Sequence, residues 1–523
     1  MKKTKELKGI TLIALVITIV ILLILAGISI SAITNQGLFE KAKEAKQKSE
    51  ETQKQEDSIL SSYENELNTY FLKHADGSWD SSKKVNSPQL MDGMTPVYWD
   101  ENGKEVKVTE KNENNWYDYE NQKWANAKTQ DGSYWVWIPR YAYKIESGCY
   151  TNTAGTITVK FLQGTSNKDA SNTEIKTTYP TVSNGVMQDF VVHPSFIDGK
   201  ANHFMNGEWR DNVAGYWVAK YDAGFQASTT DASDATKVVN GNDKITYSDK
   251  KYSMNTYTIN AISQDLKQLP EMSYPVFKPL TYAYNCITTG DAYTLSKEIA
   301  KATSFYGLNS SNTDSHQMKN SEWGAVAYLT QSKYGRNVIE VSMNNKNLKN
   351  LNSKYIYAVT GYSGETANGV DASTTGNVSG IFDMRGCVWE YTASYITNGN
   401  DNLKYGSSYV ATTDENTDGY KTLSTEYATV YPYDNKNLGT TYFSKKTSTY
   451  GFGDAILETS GRSKNTDGWN SDYTSFINSK ESFFKRGGRA GNIEANVGIF
   501  AFSGVDGGIT NILIGFRSVL IAL

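Results

Sequence analysis

The sequence predicts an α+β protein in which a long N-terminal helix precedes a domain built from short strands. Residues 10–33 run for 24 positions without a charged residue, long enough at about 1.5 Å per residue to cross a hydrocarbon layer. Residues 35–73 contain no proline and are dense in strong helix formers. Beyond His74 the pattern changes to short apolar runs and polar loops, which is typical of half-buried strands.

Composition narrows the class of protein. The chain has 523 residues and a formal net charge of −4, and it lacks the basic stripe with which nucleic-acid binders neutralise phosphates. Its 36 tyrosines and 11 tryptophans are typical of a β-rich protein with aromatic packing. The three cysteines, Cys149, Cys286 and Cys387, are odd in number and far apart, so they define no disulfide framework.

The first 33 residues predict localisation. Lysines precede the apolar run, and the positive-inside rule then keeps the N-terminus cytoplasmic and exports everything after Ile33. We therefore expect a single-pass protein of the bacterial cell membrane with an extracellular C-terminal domain, at the cell surface or on a pilus. A plain anchor, or a signal peptide cut near residues 29–32, are the simpler alternatives.

The segment "KGITLIALVITIVILLILAGI" resembles the type IV prepilin N-terminus. The resemblance implies a leader over residues 1–9, cleavage by a prepilin peptidase between Gly9 and Ile10, and N-methylation of Ile10. The acidic residue that the family carries at its fifth mature position is Ala14 here, which leaves filament assembly open. Residues 34–73 would continue the helix as a solvated stalk, braced by Lys–Glu pairs.

Residues 74–130 are predicted to hold a linker and a small β unit, either separate or part of the main domain. "MTPVYWDENGKEVKVT" predicts a hairpin that turns at residues 101–103, because Asn-Gly between alternating runs favours a tight turn. The main domain is expected over 131–523, beginning with the strand pattern "SYWVWIPRYAYKI".

Four segments in order resemble landmarks of the formylglycine-generating-enzyme or sulfatase-modifying-factor domain, a variant of the C-type lectin fold. They are a strand at Gly215–Asp222, a helix at Glu322–Tyr328, the "GCVWEY" segment at Gly386–Tyr391, and a terminal "RGG…GFR" at Arg486–Arg517. The resemblance covers about 390 residues, with polar insertions near 226–275 and 398–470. It implies a C-type-lectin-like domain of the formylglycine-generating-enzyme type.

Catalytic motifs do not stand out. No cysteine follows Cys387, so the cysteine pair of a formylglycine-generating oxidase is missing, and a buried, inert thiol is the favoured role. The histidines, His74, His193, His203 and His316, lack the compact spacing that a metal centre requires. We expect no enzyme activity, no metal and no cofactor; a structural Ca²⁺ has no support in the sequence, because acidic residues such as Asp506 are scattered.

The C-terminal segment 484–520 alternates two kinds of position. Framework positions, in which glycine permits tight turns and apolar residues fill a strand buried on both faces, are Arg486, Gly487, Gly488, Gly498, Ile499, Phe500, Ala501, Phe502, Gly515, Phe516 and Arg517. Between them lie irregular residues that we predict to bind a ligand: Arg489, Gly491, Asn492, Ile493, Ser503, Gly504, Val505, Asp506, Ile509, Asn511, Ile512 and Leu513. An ordinary terminal strand with loops would have the same pattern.

This alternation resembles the variable region of target proteins of diversity-generating retroelements, in which adenine-directed copying of an Asn-rich template rewrites surface codons. Most of the irregular residues belong to the set that Asn codons yield in this way, whereas Glu494 does not. The resemblance implies a surface-displayed protein that recognises an unknown protein or glycan non-covalently. A minor pilin or adhesin of fixed specificity is the leading alternative, and a formylglycine-generating-type oxidase is the second.

Overall fold

The computed structural model describes a defined part of the chain. The described residues are 17–19, 46, 48, 49, 52, 53, 72–198, 209, 211–225, 244–247, 250–253, 274–344, 347–349, 356–363, 366, 367, 369–410, 425–431, 452–476, 480–490 and 497–523, less 282, 286, 464 and 512. Residues Met1–Glu64 and Asn65–Leu523 form two compact units. All the strands among the described residues belong to the second unit.

The second unit consists mainly of short strands. In chain order the first fourteen are β1 Trp79–Asp80, β2 Val85–Asn86, β3 Thr95–Trp99, β4 Glu105–Lys107, β5 Asn126–Lys128, β6 Tyr134–Pro139, β7 Tyr141–Ile145, β8 Ile157–Phe161, β9 Val182–Ser183, β10 Val186–Met187, β11 Val191–Val192, β12 Gly215–Ala219, β13 Gly224–Phe225 and β14 Lys244–Tyr247. The others are β15 Lys250–Ser253, β16 Pro275–Val276, β17 Thr313–Gln317, β18 Asn347–Lys349, β19 Ile356–Ala358, β20 Tyr362–Ser363, β21 Thr366–Ala367, β22 Trp389–Ile396, β23 Thr429–Tyr431, β24 Thr474–Ser475, β25 Phe483–Gly487, β26 Gly498–Asp506, β27 Ile514–Phe516 and β28 Ser518–Ala522.

Helices are short in the described part of the chain. The α-helices of the second unit are α1 Thr289–Glu298, α2 Thr303–Tyr306 and α3 Asn320–Gln331. Short 3₁₀ helices lie at Glu113–Asn115, Tyr119–Asn121, Pro194–Phe196, Val370–Ala372, Asp401–Gly406, Thr425–Tyr427 and Trp469–Ser471. Helix α3 begins where the Glu322 side chain accepts a hydrogen bond from the backbone N–H of Lys319 (2.8 Å), as in a capping box. This confirms the helix predicted around Glu322–Tyr328.

The predicted fold class is wrong. The described residues form a mostly β structure with short helices, the longest being the 12-residue α3, rather than a long helix followed by an α+β, C-type-lectin-like domain. The prediction weighted the helix propensity of the N-terminal segment, whereas strands with distant pairing partners dominate the described residues. The predicted leader 1–9 lies outside the described residues, and so do the helix 10–33 and stalk 34–73 except at a few positions.

The predicted localisation is corrected as well. Within the described residues, no helix has both the length and the apolar character needed to cross a membrane. For that part of the chain, the predicted single membrane span is therefore wrong; the residues predicted to form it, 10–33, lie outside the described residues except at 17–19.

Two larger sheets organise the second unit. One has seven strands in the order β17-β28-β12-β6-β5-β3-β4, all antiparallel neighbours. It joins strands of the segment 74–130 to those of the segment 131–523. The predicted hairpin is confirmed, since Trp99 pairs with Glu105 across the turn and Gly103 adopts a φ of +73° that favours glycine.

The other large sheet carries the C-terminal segment. Its order is β23-β22-β25-β26-β24, and β27 pairs in parallel with β22. Between the sheets and helices lies a continuous aromatic core that includes Trp135, Trp137, Trp217, Trp323 and Phe500. The predicted aromatic strand is confirmed as β6, which pairs with β12. It is buried on both faces rather than half-buried, and the rest of the segment 133–145 forms β7 in a separate sheet.

A buried carboxylate is bound by two tyrosines within this core. Glu458 accepts hydrogen bonds from the Tyr328 hydroxyl (2.6 Å) and the Tyr143 hydroxyl (2.9 Å). The backbone N–H of Gly453 donates a third, at 2.6 Å. Burial raises the pKa of Glu458, and these donors supply the partners that a buried polar group needs.

We expect Tyr328→Phe to lower the free energy of unfolding by about 1–3 kcal/mol, because the Glu458 oxygen loses its shortest phenolic donor. Tyr306→Phe is the matched control, since that hydroxyl is also buried but donates to a neutral backbone carbonyl, Pro275 O. Its cost should be smaller, about 0.5–1.5 kcal/mol. Urea unfolding of both variants measures the difference, and equal costs would contradict the expectation.

Candidate binding site at the C-terminal strands

Three neighbouring strands bring together side chains from distant parts of the sequence. Tyr391 of β22 pairs with Lys485 of β25, and Lys485 pairs with Ser503 of β26. Directly opposed residues in a sheet share a face, so these three side chains form one row across the sheet. Val505 lies two residues beyond Ser503 on the same strand and is half-buried.

An ion pair lies at the end of this row. Lys485 Nζ is 2.6 Å from Asp506 Oδ2, and the two side chains remain 19% and 11% exposed. The other oxygen, Asp506 Oδ1, accepts hydrogen bonds from the Tyr391 hydroxyl (2.6 Å) and the Gly508 N–H (3.0 Å). Asp506 is thus held from several sides, and its position is fixed before any partner arrives.

Aromatic and aliphatic side chains border the ion pair. The rings of Trp389 and Tyr473 are 6.0 Å apart and nearly perpendicular. Trp389 belongs to an apolar cluster with Ile514, and Tyr473 and Leu513 pack against this cluster. Lys485 Nζ is 5.6 Å from the Trp389 ring centroid, within the range of a cation–π contact. We call the set Trp389, Tyr473, Lys485, Val505, Asp506, Ile509 and Leu513 the C-terminal face.

The structure distributes the predicted ligand-binding residues over several environments. Ile509 is exposed, at 47%, whereas Ser503 and Asp506 are only 4% and 8% exposed. Half-buried positions are Arg489, Val505, Asn511 and Leu513, while Gly504 is buried. Gly491, Asn492, Ile493 and Ile512 lie outside the described residues, as do the processing residues Gly9 and Ile10.

Residues 503–506 extend strand β26 instead of forming a loop. Ser503 pairs with Lys485 of β25 and with Ser475 of β24, and Asp506 pairs with Phe483. These partners supply the backbone hydrogen bonds that a polar segment would otherwise take from water. The sequence gives little indication that the strand extends over these residues, because "SGVD" has no β-branched or aromatic residue apart from Val505.

The list of candidate residues from the sequence missed Trp389, Tyr391, Tyr473 and Lys485. Trp389 and Tyr391 stand two apart in a strand, a spacing that was available as a signal. No local signal identifies Lys485 and Tyr473, because their roles depend on strand register and on ring contacts between distant segments.

The framework positions support the C-terminal face from beneath. Ile499, Phe500, Ala501 and Phe502 are all at most 4% exposed, which confirms the predicted strand buried on both faces. Arg486 is fully buried and donates to three backbone carbonyls, those of Ala501, Asp454 and Ala455.

A second cluster lies under the same strands. Arg517 donates to Glu390 through Nε (3.0 Å) and Nη2 (2.9 Å), and to Asp222 Oδ1 at 2.7 Å. Asp383 and Cys387 complete the cluster, and the donor atoms of Asp222, Asp383 and Cys387 lie within 4.8 Å of one another. These five side chains are at most 1% exposed.

Electrostatics in this cluster favour a protonated thiol in the absence of a cation. Burial, with Asp222 and Asp383 nearby, raises the pKa of the Cys387 thiol. Burial raises the pKa of Asp383 to about 6 against the opposing effect of Arg517. The prediction that Cys387 is buried is confirmed, and such a thiol is a poor nucleophile because the thiolate is the reactive form.

The described histidines are not gathered into one site. His193 is buried, with its ring nitrogens against the Ser195 hydroxyl (2.9 Å) and the Gly453 carbonyl (2.8 Å). Burial lowers its pKa to about 3, so it is neutral at physiological pH. His316 lies 2.9 Å from Glu322, and His203 lies outside the described residues.

A buried aspartate beside β26 makes stability depend on pH. Burial, with Glu340 nearby, raises the pKa of Asp472 to about 7 from 3.8, although Asp472 Oδ2 accepts a hydrogen bond from Phe500 N. A raised folded pKa means that the folded state binds the proton more tightly. The stabilisation is therefore full below the unfolded pKa and is lost as the pH rises through the folded pKa.

We expect Asp472→Asn to remove this dependence. Between pH 3.8 and about 7, the wild-type free energy of unfolding should fall relative to the variant by up to about 1.4 kcal/mol per pH unit. Denaturant unfolding of both proteins across this range measures the difference. Parallel stability curves would show that Asp472 does not titrate on folding.

No protein-family model matches the chain, and no curated protein matches it significantly. The resemblances to prepilins, to the formylglycine-generating domain and to retroelement targets therefore stay predictions.

Proposed function

We propose that this protein binds a ligand non-covalently through the C-terminal face. The observation that carries the proposal is the contrast between a fixed base and an accessible rim: Asp506 is held by Lys485, Tyr391 and Gly508, whereas Ile509 beside it is 47% exposed. Rigid anchors lower the entropic cost of binding, and exposed side chains around them provide contact area.

The chemistry of the face suits a protein or glycan ligand. The half-buried Tyr473 supplies rigid aromatic surface, which serves recognition at low entropic cost, and the buried Trp389 packs against its ring. Lys485 and Asp506 supply both signs of charge and hydrogen-bonding capacity. A face with a net positive charge and many basic side chains would instead favour nucleic acid.

We further propose that four irregular residues of the C-terminal segment, Val505, Ile509, Asn511 and Leu513, are diversified. Support comes from their positions: Ile509 is exposed and the other three are half-buried, so side chains of different size fit there. Ser503, Gly504 and Asp506 are buried and belong to the fixed part of the face. Framework residues such as Phe500 and Phe516 are fully buried. An adhesin of fixed specificity is the alternative.

A search of the gene's surroundings separates these alternatives. Diversification predicts a near-repeat of the codons for residues 484–520 close to a reverse-transcriptase gene, with mismatches confined to template adenines. A locus without a repeat and without a reverse transcriptase would contradict diversification and favour fixed specificity. This search does not test ligand binding by the C-terminal face, which requires a separate experiment.

We expect Ile509→Arg to weaken ligand binding at least tenfold, because a charged side chain would replace an exposed apolar contact at the face. The probes are an array of glycans and an array of purified cell-surface proteins, each incubated with the full chain. Ile339→Arg is the matched control, since Ile339 is also an exposed isoleucine, at 62%. Equal loss in both variants, or loss in neither, would place the binding site elsewhere.

A further inference from the structure

We propose that Asp222, Asp383 and Cys387 form a buried binding site for a divalent metal ion of the Zn²⁺ type. This site is separate from the C-terminal face and does not depend on ligand binding there. Two carboxylates and one thiol converge, with one donor atom from each residue within 4.8 Å of the others. Small side-chain rotations would bring these atoms to the 2.0–2.3 Å at which Zn²⁺ binds oxygen and sulfur.

The hydrogen bonding of Asp222 is a second observation that points to a bound cation, independent of the convergence of donor atoms. Its Oδ1 accepts a hydrogen bond from Arg517 at 2.7 Å, whereas its Oδ2 is buried without a hydrogen-bond partner. The neighbouring Cys387 thiol is at most a weak donor. A fully buried carboxylate oxygen left in this state costs free energy, and a cation between Asp222, Asp383 and Cys387 would remove that cost.

Hydrogen bonds from neighbouring groups fix the orientation of the Asp383 carboxylate, as outer-shell hydrogen bonds do for carboxylates that bind a metal. The Asn344 amide donates to Oδ1 at 2.8 Å, and the Gly361 N–H lies 3.0 and 3.1 Å from Oδ1 and Oδ2. The Asp222 N–H donates to Oδ2 at 3.3 Å. Such outer-shell donors fix a ligand's direction and are a regular part of metal sites.

Backbone hydrogen bonds hold Cys387 in place. Its N–H donates to the Asn344 carbonyl at 2.8 Å, and its own carbonyl accepts from the Ala490 N–H at 3.0 Å. Asn344 therefore contacts two of the three proposed ligands, since its amide binds Asp383. The thiol is thereby positioned beside the two carboxylates.

The charge balance favours a cation. Asp222, Asp383 and Glu390 place three carboxyl groups around one guanidinium, that of Arg517. With all three ionised, the cluster would carry an excess of negative charge in a region closed to water, which is costly unless a cation or a bound proton compensates it. A divalent ion compensates it, and the thiol transfers its proton to solvent as the metal–sulfur bond forms.

The donor set selects the metal. One thiolate favours a borderline-soft ion over Mg²⁺ or Ca²⁺, which prefer six or more oxygen ligands. Two carboxylates and one thiolate provide three of the four positions of a tetrahedral Zn²⁺ site.

The test is equilibrium binding of Zn²⁺ and Co²⁺ to the purified full chain after removal of bound metal with a chelator. We expect an equimolar amount of metal to be retained, and the Co²⁺ form to show a thiolate-to-metal charge-transfer band. Because the thiol must lose its proton, binding should weaken as the pH falls. Mass spectrometry of the untreated protein identifies the metal that it carries.

The controls separate a metal site from structural damage. Cys387→Ser should abolish the charge-transfer band and reduce Zn²⁺ affinity at least tenfold, with folding checked by near-ultraviolet circular dichroism. Cys149→Ser and Cys286→Ser should retain both; Cys149 is a buried free cysteine, and Cys286 lies outside the described residues. Asp222→Asn tests the unpartnered oxygen in the same assay.

Two results would overturn the proposal. A folded wild-type chain that retains no equimolar Zn²⁺ or Co²⁺ would show that protons, not a metal, neutralise the cluster. A charge-transfer band that persists in Cys387→Ser and disappears in Cys149→Ser or Cys286→Ser would place the metal elsewhere.

Discussion

Replacing Arg517 with leucine is expected to lower the free energy of unfolding by about 3–5 kcal/mol, the cost of breaking a buried ion pair by removing one partner. Arg517 is fully buried and binds both Glu390 and Asp222. It also donates to the Ala219 and Phe382 carbonyls. The substitution would leave two buried carboxylates and two carbonyls without these donors. Denaturant unfolding at pH 7 measures the loss.

The loss should depend on pH in a defined direction. Burial, with Glu390 nearby, raises the pKa of Asp222 against the opposing effect of Arg517, so without Arg517 this pKa should rise further. The penalty is then largest where Asp222 must ionise and shrinks as the pH falls and Asp222 binds a proton. Arg517→Lys keeps the charge but not the forked donor geometry, so we expect an intermediate loss. A loss under about 0.5 kcal/mol in the leucine variant, the range of a surface substitution, would contradict this account.

Replacing Trp323 with alanine should cost about 3–5 kcal/mol, the usual range for a buried tryptophan cut back to a methyl group. The side chain is fully buried in helix α3. Its ring lies 5.4 Å from the Arg486 guanidinium, and its Nε1–H donates to the Ile499 carbonyl at 2.7 Å. The variant would therefore leave a cavity directly beneath strands β25 and β26.

Trp323→Phe separates packing from hydrogen bonding. Phenylalanine keeps most of the ring but loses the indole donor to Ile499, so we expect a loss of about 1–3 kcal/mol. Thermal and denaturant unfolding of the two variants give the comparison. If alanine and phenylalanine cost the same, the ring would contribute little to the stability of the sheet above it.

Local patterns predicted local elements well. The alternation of Trp135 and Trp137 predicted β6, and the apolar run 499–502 predicted the buried part of β26. The helix expected at the landmark segment Glu322–Tyr328 forms within α3. In each case the residues that define the element lie within a few positions of one another, so the determining interactions are local.

Long-range pairing was beyond such patterns. Lys485 meets Asp506 because of a strand register with two irregularities, and Arg517 contacts Asp222, 295 residues earlier in the chain. The convergence of Asp222, Asp383 and Cys387 has the same origin. The fold-class prediction failed for a related reason, since helix propensity in residues 10–73 was weighted above the many short strands, whose partners are far away in sequence.

The position of β28 has a consequence for folding. Residues Ser518–Ala522 lie between β12 and β17 in the interior of the seven-stranded sheet, although both partner strands are far away in the sequence. The sheet is incomplete until these strands pair, and such non-local pairing is slow. Ile509 and Leu513 lie a few residues before β28. A substitution at either position that hinders the pairing of β28 would therefore reduce the yield of folded protein as well as change the binding specificity.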